Sequence, residues 1–177
     1  RDWGFSYARR IDRFLMVSNF CLDFHSRYVP EIKSKSEVLY NPVDHALMNH
    51  EWVDVSLKSG FIYAGRLSRE KGLDSLCSAF AGMSDLKLKV VGDGPDAEYL
   101  IAKYRGEKNI EFLGKMDRPQ LLQEMGKSRY SVIPSEWYEN NPMSVIESMA
   151  VGTPVIGANI GGIPELVVHG ETGYVHA

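Results

Sequence analysis

Eight residues of this chain, Gly65-Arg66-Leu67-Ser68-Arg69-Glu70-Lys71-Gly72, hold three cations between two glycines. Such a loop lets an anion approach its backbone, and a helix beginning after it adds free N–H groups and a favourable dipole. Arginine supplies a planar fork for phosphate oxygens and lysine a mobile point charge. The residue types fit a diphosphate clamp made by Arg66 and Lys71, or else a solvated basic loop. Arg69 reads as a surface residue.

A second stretch, from Pro134 to Gly152, carries Glu139 and Glu147 in different surroundings. Asn141 suits the N-cap of a helix, Pro142 its first position and Gly152 the residue after its end. The amides near residues 142–144 are then free donors. Glu147 stands among Val145, Ile146, Met149, Ala150 and Val151. A carboxylate in an apolar helix is costly unless it is satisfied. It either accepts hydrogen bonds from a diol such as ribose or pairs with a core Lys, Arg or backbone group. Glu139 precedes the cap and points into the same crevice, unless it is simply a solvated loop residue.

Other candidates are weaker. Gly92-Asp93-Gly94-Pro95 follows an apolar run, but Ala97 stands where a dinucleotide fingerprint has its third glycine. Gly114 and Lys115 stand where a ribose-binding acid belongs, so a tight turn with Pro95 near the first position of a helix is the better reading. Glu165 follows Gly161-Gly162-Ile163-Pro164 and favours the dipole of its own short helix. His25, His45, His50, His169 and His176 fall at no metal-ligand spacing and beside no nucleophile motif, so no metal is expected.

The elements that must position these residues read as an α/β fold. Continuous apolar runs at Arg13–Ser18, Val38–Tyr40, Phe61–Ala64, Leu86–Val91, Ile110–Leu113, Tyr130–Ile133, Pro154–Gly157 and Gly173–Val175 fit parallel strands buried on both faces. Helical windows lie over Leu73–Met83, Asp96–Tyr104, Gln120–Lys127, Pro142–Val151 and Pro164–Val168, with a further stretch near Phe20–Val29. Strand then helix, repeated, predicts a doubly wound parallel sheet of Rossmann-like type. Ligands then bind beyond the C-terminal ends of the strands, where the loops above stand. The first 45 residues break the beat, and Asn41-Pro42 is a breaker signal, so a boundary is expected near residues 41–58.

The chain has 177 residues, is 44% hydrophobic and carries a formal net charge of -3. That composition suits one domain with a real core and gives no basic excess for nucleic acid. Cys21 and Cys77 form no CxxC pair, and Cys77 sits in an apolar run, which fits a buried thiol in a reducing, cytoplasmic compartment. No apolar run reaches the roughly 20 residues of a membrane span. The sequence begins Arg1-Asp2-Trp3 without a signal peptide and stops after Gly173-Tyr174-Val175, which reads as a domain cut at both ends.

Taken in order, these pieces resemble the C-terminal, donor-binding domain of family 4 retaining glycosyltransferases, which have the two-domain GT-B fold. The match runs from about Val38 to Val175: Gly65-Arg66-Leu67 with Lys71-Gly72, then Val91-Gly92-Asp93-Gly94-Pro95, Glu139 and Glu147 with seven residues between them, Gly152-Thr153-Pro154-Val155-Ile156, and Gly161-Gly162-Ile163-Pro164-Glu165. The resemblance implies residues 1–44 as the tail of an acceptor-binding N-terminal domain with its hinge at Asn41-Pro42-Val43-Asp44. Residues 45–177 would then be a nucleotide-sugar-binding domain truncated at its C-terminus. It implies a UDP-sugar or GDP-sugar donor and no prosthetic group. Arg66 and Lys71 would neutralise the diphosphate, Glu147 would hold the ribose, and Glu139 would contact the transferred sugar near the amides of Pro142, Met143 and Ser144. Lys115 or Met116 would lie beside the base, with Arg66, Lys71 and Glu139 as the catalytic set. The implied reaction is hexosyl transfer with retention to a glycan or lipid-linked acceptor, as in polysaccharide or glycolipid synthesis at the inner face of a membrane. Between the glutamates this chain has Asn140-Asn141-Pro142-Met143 where the commoner family form is Gly-Phe-Gly-rich, a departure that bears on sugar selectivity.

Other readings are a nicotinamide-dependent oxidoreductase, a non-catalytic nucleotide-sugar-binding module and a GT-B sugar-nucleotide epimerase. The first requires a complete glycine fingerprint at the first βα turn, where this chain has Gly65-Arg66-Leu67.

Overall fold

Apolar runs of four or five residues, too short for helices and flanked by glycine or proline, become the strands of one sheet. The structure, a computed structural model, describes residues 8–43 and 52–176. Its main sheet comprises β3 (Phe61–Ala64), β4 (Leu88–Val91), β5 (Ile110–Gly114), β6 (Tyr130–Ile133), β7 (Val155–Ala158) and β8 (Gly173–His176), all parallel, in the order β5-β4-β3-β6-β7-β8. The chain winds outward from β3 through β4 to β5, then returns to the other side of β3 and winds outward from β6 to β8. The reversal between β3 and β6 is the topological switch point, where the loops after the two strands diverge and leave a crevice. This is the doubly wound α/β fold expected from the sequence.

Alternation along β3 builds both layers. Tyr63 joins Leu73, Leu76, Cys77 and Phe80 of α2 (Leu73–Ala81) and Leu100 of α3 (Ala97–Lys103). Ile62 and Ala64 join Leu122 and Met125 of α4 (Arg118–Lys127). The β6–β7 side packs Ile133 and Val155 on Val145 of α5 (Met143–Ala150) and Ile163 of α6 (Ile163–Leu166). Each fully buried aliphatic side chain contributes about 1.5–3 kcal/mol. Cys21 and Cys77 are free and buried, and burial pushes the Cys77 thiol up to about 12, so it stays protonated.

The segment before the sheet forms β1 (Phe14–Met16), α1 (Asn19–Tyr28) and β2 (Ser36–Val38), with β1 and β2 paired in parallel over Met16, Cys21 and Ile32. The expected strand Arg13–Ser18 is shorter because Ser18 leaves it to cap α1, its hydroxyl accepting from Cys21 N at 3.0 Å. The strand expected over Val38–Tyr40 sits two residues earlier, because Ser36 to Val38 take the register against β1 and Tyr40 turns away to a partner described below. The first three residues, Asp44, His45 and His50 lie outside the described residues. No helix among the described residues is long and apolar enough to cross a membrane.

One lysine unremarkable in the sequence anchors α5. Lys58 is buried, and its Nζ donates to the carbonyls of Gly152 at 2.8 Å and Val151 at 3.5 Å and to the Thr153 hydroxyl at 3.0 Å. A cation here satisfies carbonyls that a helix C-terminus leaves orphaned and matches the negative end of its dipole. Burial holds its pKa below the usual lysine value. Lys58→Ala is expected to cost about 2 kcal/mol, since buried carbonyls lose their donor. Urea denaturation measures this, and a loss below about 0.5 kcal/mol would remove the anchoring role.

Candidate functional site

A cavity of about 590 Å³ opens at the switch point, lined by Arg66, Glu70 and Lys71 from the loop after β3 and by Ser135, Glu139, Pro142, Met143, Ser144 and Glu147 from the loop after β6 and the start of α5. A second cavity of about 480 Å³ shares Gly65, Arg66 and Leu121 with it and adds Asp93, Lys115 and Met116. Every site residue expected from the sequence thus lines one of two adjoining cavities, with Lys115 and Met116 in the second.

The first loop is shaped by what braces it. Tyr63 OH donates to the Arg66 carbonyl at 2.7 Å, Leu67 N donates to Asp93 O at 2.9 Å, and Asp96 N donates to Leu67 O at 3.0 Å. The Gly92–Pro95 turn therefore supports the cationic loop. Pro95 stands just before the cap Asp96, not at the first position of α3, because Asp96 N is taken up by Leu67. Burial pushes the Tyr63 phenol well above its ordinary value, helped by the charges of Glu139 and Glu70.

Counting cations alone misjudges the electrostatics. Ser68 Oγ donates to Glu70 Oε1 at 2.6 Å and, with a backbone N–H, holds that carboxyl below its ordinary value beside Arg66 and Lys71. Lys71 Nζ donates to Glu139 Oε1 at 2.6 Å, and Ser135 Oγ donates to the same oxygen at 2.8 Å. Glu139 is therefore no solvated loop residue; its side chain is 16% exposed and ion-paired. Glu147, 14% exposed, accepts from Arg118 Nε at 3.2 Å, so the cation pairing weighed for it is present. Arg66 is exposed and makes no salt bridge among the described residues, which leaves it the cation readiest to meet an anion.

The start of α5 differs from expectation. Pro142 is the cap, not the first helical residue, and has no N–H, so the free donors are the amides of Met143 and Ser144. Val145 N makes the first intrahelical bond, to Pro142 O at 3.1 Å. Asn141 does not cap the helix, because its Oδ1 accepts from Asn41 N at 3.0 Å while its carbonyl accepts from Asn41 Nδ2 at 2.9 Å. Gly152 ends the helix with φ 71, as expected.

Glu165 is the residue whose role sequence reading missed. Its carboxylate accepts from Phe20 N at 2.6 Å, Asn19 N at 2.8 Å, Tyr40 OH at 2.9 Å and Asn19 Nδ2 at 3.0 Å. It stands in the first turn of its own helix, as expected, and its carboxylate in addition holds the N-terminus of α1. Burial raises its pKa, but the Phe20 and Asn19 N–H groups and the Tyr40 hydroxyl outweigh that and hold it below the ordinary carboxylate value. Nothing local marks it, since its partners lie 125 to 146 residues away.

This doubly wound parallel sheet, with a cavity at its switch point, has the architecture of the C-terminal half of the GT-B fold. The chain belongs to the family described as glycosyl transferases group 1, whose profile matches residues 57–177. It is similar to N-acetyl-alpha-D-glucosaminyl L-malate synthase of Bacillus anthracis, with 36% identity over 64% of this chain and 31% of that protein. It is similar also to the GDP-mannose-dependent alpha-mannosyltransferase of Corynebacterium glutamicum, with 31% identity over 71% of this chain and 29% of that protein. The fold matches that of HepE from Anabaena, solved in complex with UDP and glucose, at a TM-score of 0.81 and 24% identity over 99% of this chain and 52% of the other. The chain thus spans about a third of those two relatives' length and about half of HepE.

Proposed function

We propose that the switch-point cavity binds the diphosphate and sugar of a nucleotide-sugar donor, and that the protein transfers the hexosyl group with retention of configuration, as a family 4 enzyme. One observation carries this reading: Arg66 and Lys71 share a single cavity with the α5 amides, Glu139 and Glu147. Arg66 and the Met143 and Ser144 amides receive phosphate oxygens. Lys71 has three donors, so it can keep Glu139 and still meet a phosphate. Glu139 reaches sugar hydroxyls, Glu147 the ribose, and the Lys115–Met116 cavity takes the base. A UDP- or GDP-linked sugar is the donor class, which the ligand in the HepE structure and the name of the Corynebacterium relative support.

In the proposed reaction the bond from the sugar anomeric carbon to the diphosphate breaks as a bond to the acceptor hydroxyl forms on the same face. The acceptor proton passes to the departing phosphate oxygen, and nucleoside diphosphate leaves. The charge that develops on the diphosphate is stabilised by Arg66, Lys71 and the two amides, which is where fixed donors contribute most. Residues 1–44 belong to an acceptor-side domain with its hinge, and residues 45–177 to the donor domain. The acceptor is a glycan or lipid-linked saccharide, met at the cytoplasmic face of a membrane.

Calorimetry of the chain with UDP, GDP and ADP tests the reading. At least one is expected to bind, and absence of binding by all three would end it. Glu147→Gln is expected to weaken the preferred ribonucleotide about tenfold and its 2′-deoxy form about threefold or less, since hydrogen bonds to a charged acceptor are the stronger ones. Equal losses in titrations of the two would remove Glu147 from the ribose.

A further inference from the structure

The Glu139 loop, which lines the cavity, and the loop 159–165 that touches it are mounted on the segment before the sheet. Glu139 O accepts from Gly162 N at 2.6 Å, and a Cβ at Gly162 would lie 1.9 Å from Asn140 O, so glycine is what lets the two backbones touch. Three residues on, Glu165 holds the first two amides of α1 together with Tyr40. On the other side of the Glu139 loop, Asn141 grips Asn41, and the Tyr138 ring packs on Phe20 at 5.2 Å and Phe24 at 5.8 Å between centroids. Tyr138 and Glu165 thus meet on α1, and Glu139 is tied to them through its chain neighbour Tyr138 and through Gly162. Glu139 in turn holds Lys71.

We infer that Glu165 is a positioning residue: by clamping the N-terminus of α1 it fixes the loop 159–165, and through Gly162 it sets the Glu139–Lys71 pair. The docking of residues 18–41 and occupancy of the cavity are then linked, and whatever moves α1 moves the glutamate that meets the donor sugar. Linkage runs both ways, so a ligand on Glu139 also changes how firmly α1 is held. The effect on sugar recognition rests on the function proposed above, whereas the mechanical coupling does not.

Amide hydrogen exchange on the 177-residue chain tests the coupling. Glu165→Gln keeps the shape and removes the charge. It is expected to speed exchange about tenfold at Asn19 and Phe20, which lose a charged acceptor, and at least about threefold at Gly162, with β4 and β5 unchanged. Faster exchange at Asn19 and Phe20 with Gly162 unchanged would make Glu165 a local cap only and overturn the inference. Unchanged exchange at all three would overturn it as well. Tyr40→Phe, which removes one donor and no backbone contact, is a milder variant should Glu165→Gln not fold. It is expected to move Gly162 in the same direction, and no movement there counts against the coupling. Titration with UDP and UDP-glucose adds the functional readout: Glu165→Gln is expected to weaken UDP-glucose about fivefold and UDP about twofold, since the sugar meets Glu139 directly and the diphosphate feels it only through Lys71. Failure of UDP to bind the unaltered chain would sink the proposed function and leave the exchange result to decide the coupling.

Discussion

Replacing Lys71 with alanine is expected to lower the affinity of the chain for a nucleoside diphosphate about thirtyfold, roughly 2 kcal/mol, and to leave that for the bare nucleoside within about twofold. Two effects act with the same sign. The diphosphate loses a cation, and Glu139, held by Lys71 at 2.6 Å and only 16% exposed, is left with the Ser135 hydroxyl alone. An unpaired carboxylate at the rim of an anion site repels the ligand as well as losing its own partner. The double variant Lys71→Ala with Glu139→Gln is therefore expected to recover part of the loss, a non-additivity that only contacting residues show. Calorimetry with UDP and uridine measures both. Equal loss for nucleotide and nucleoside would place Lys71 away from the phosphates.

Gly72→Ala is expected to be among the most damaging single-methyl changes at the site. Gly72 has φ 68, and a Cβ there would lie 2.0 Å from Pro134 O. The close approach is what brings the cationic loop onto the glutamate loop, with Glu136 N donating to Glu70 O at 3.0 Å. A left-handed alanine and a forced separation of two backbones each cost on the order of 1–3 kcal/mol, so a loss of about 3 kcal/mol is expected. For a domain of this size that lowers Tm by roughly 6–12 °C. Because the two loops carry Lys71 and Glu139, diphosphate affinity falls with it. A thermal melt within about 2 °C of the unaltered chain would contradict the packing described here.

The strands were legible because a parallel strand covered on both faces must be apolar throughout. Phe61–Ala64 and Tyr130–Ile133 fall where the runs predict them. Helix starts slipped where the capping side chain had a distant competitor. Asn141 is a good cap by type, but its side chain is taken by Asn41, 100 residues away, and Pro142 becomes the cap. The site residues were found as separate loops because each follows a strand end, which is where this topology gathers ligand groups. Their pairing was not visible: Lys71 and Glu139 are 68 residues apart, and nothing in either neighbourhood names the other. Lys58 and Glu165 were missed for the same reason. Each is one charged residue whose meaning lies in backbone groups that only the folded chain brings to it, Gly152 for the first and Phe20 for the second.

The central claim is that an anion docks where the loop after β3 meets the first amides of α5. A crystal of the chain soaked with UDP-glucose tests it most directly. The pyrophosphate is expected within about 3 Å of the Arg66 guanidinium or the Lys71 ammonium, with an oxygen facing the Met143 and Ser144 amides. A pyrophosphate lying about 10 Å or more from both cations, beyond the reach of their charge in salt, would contradict it.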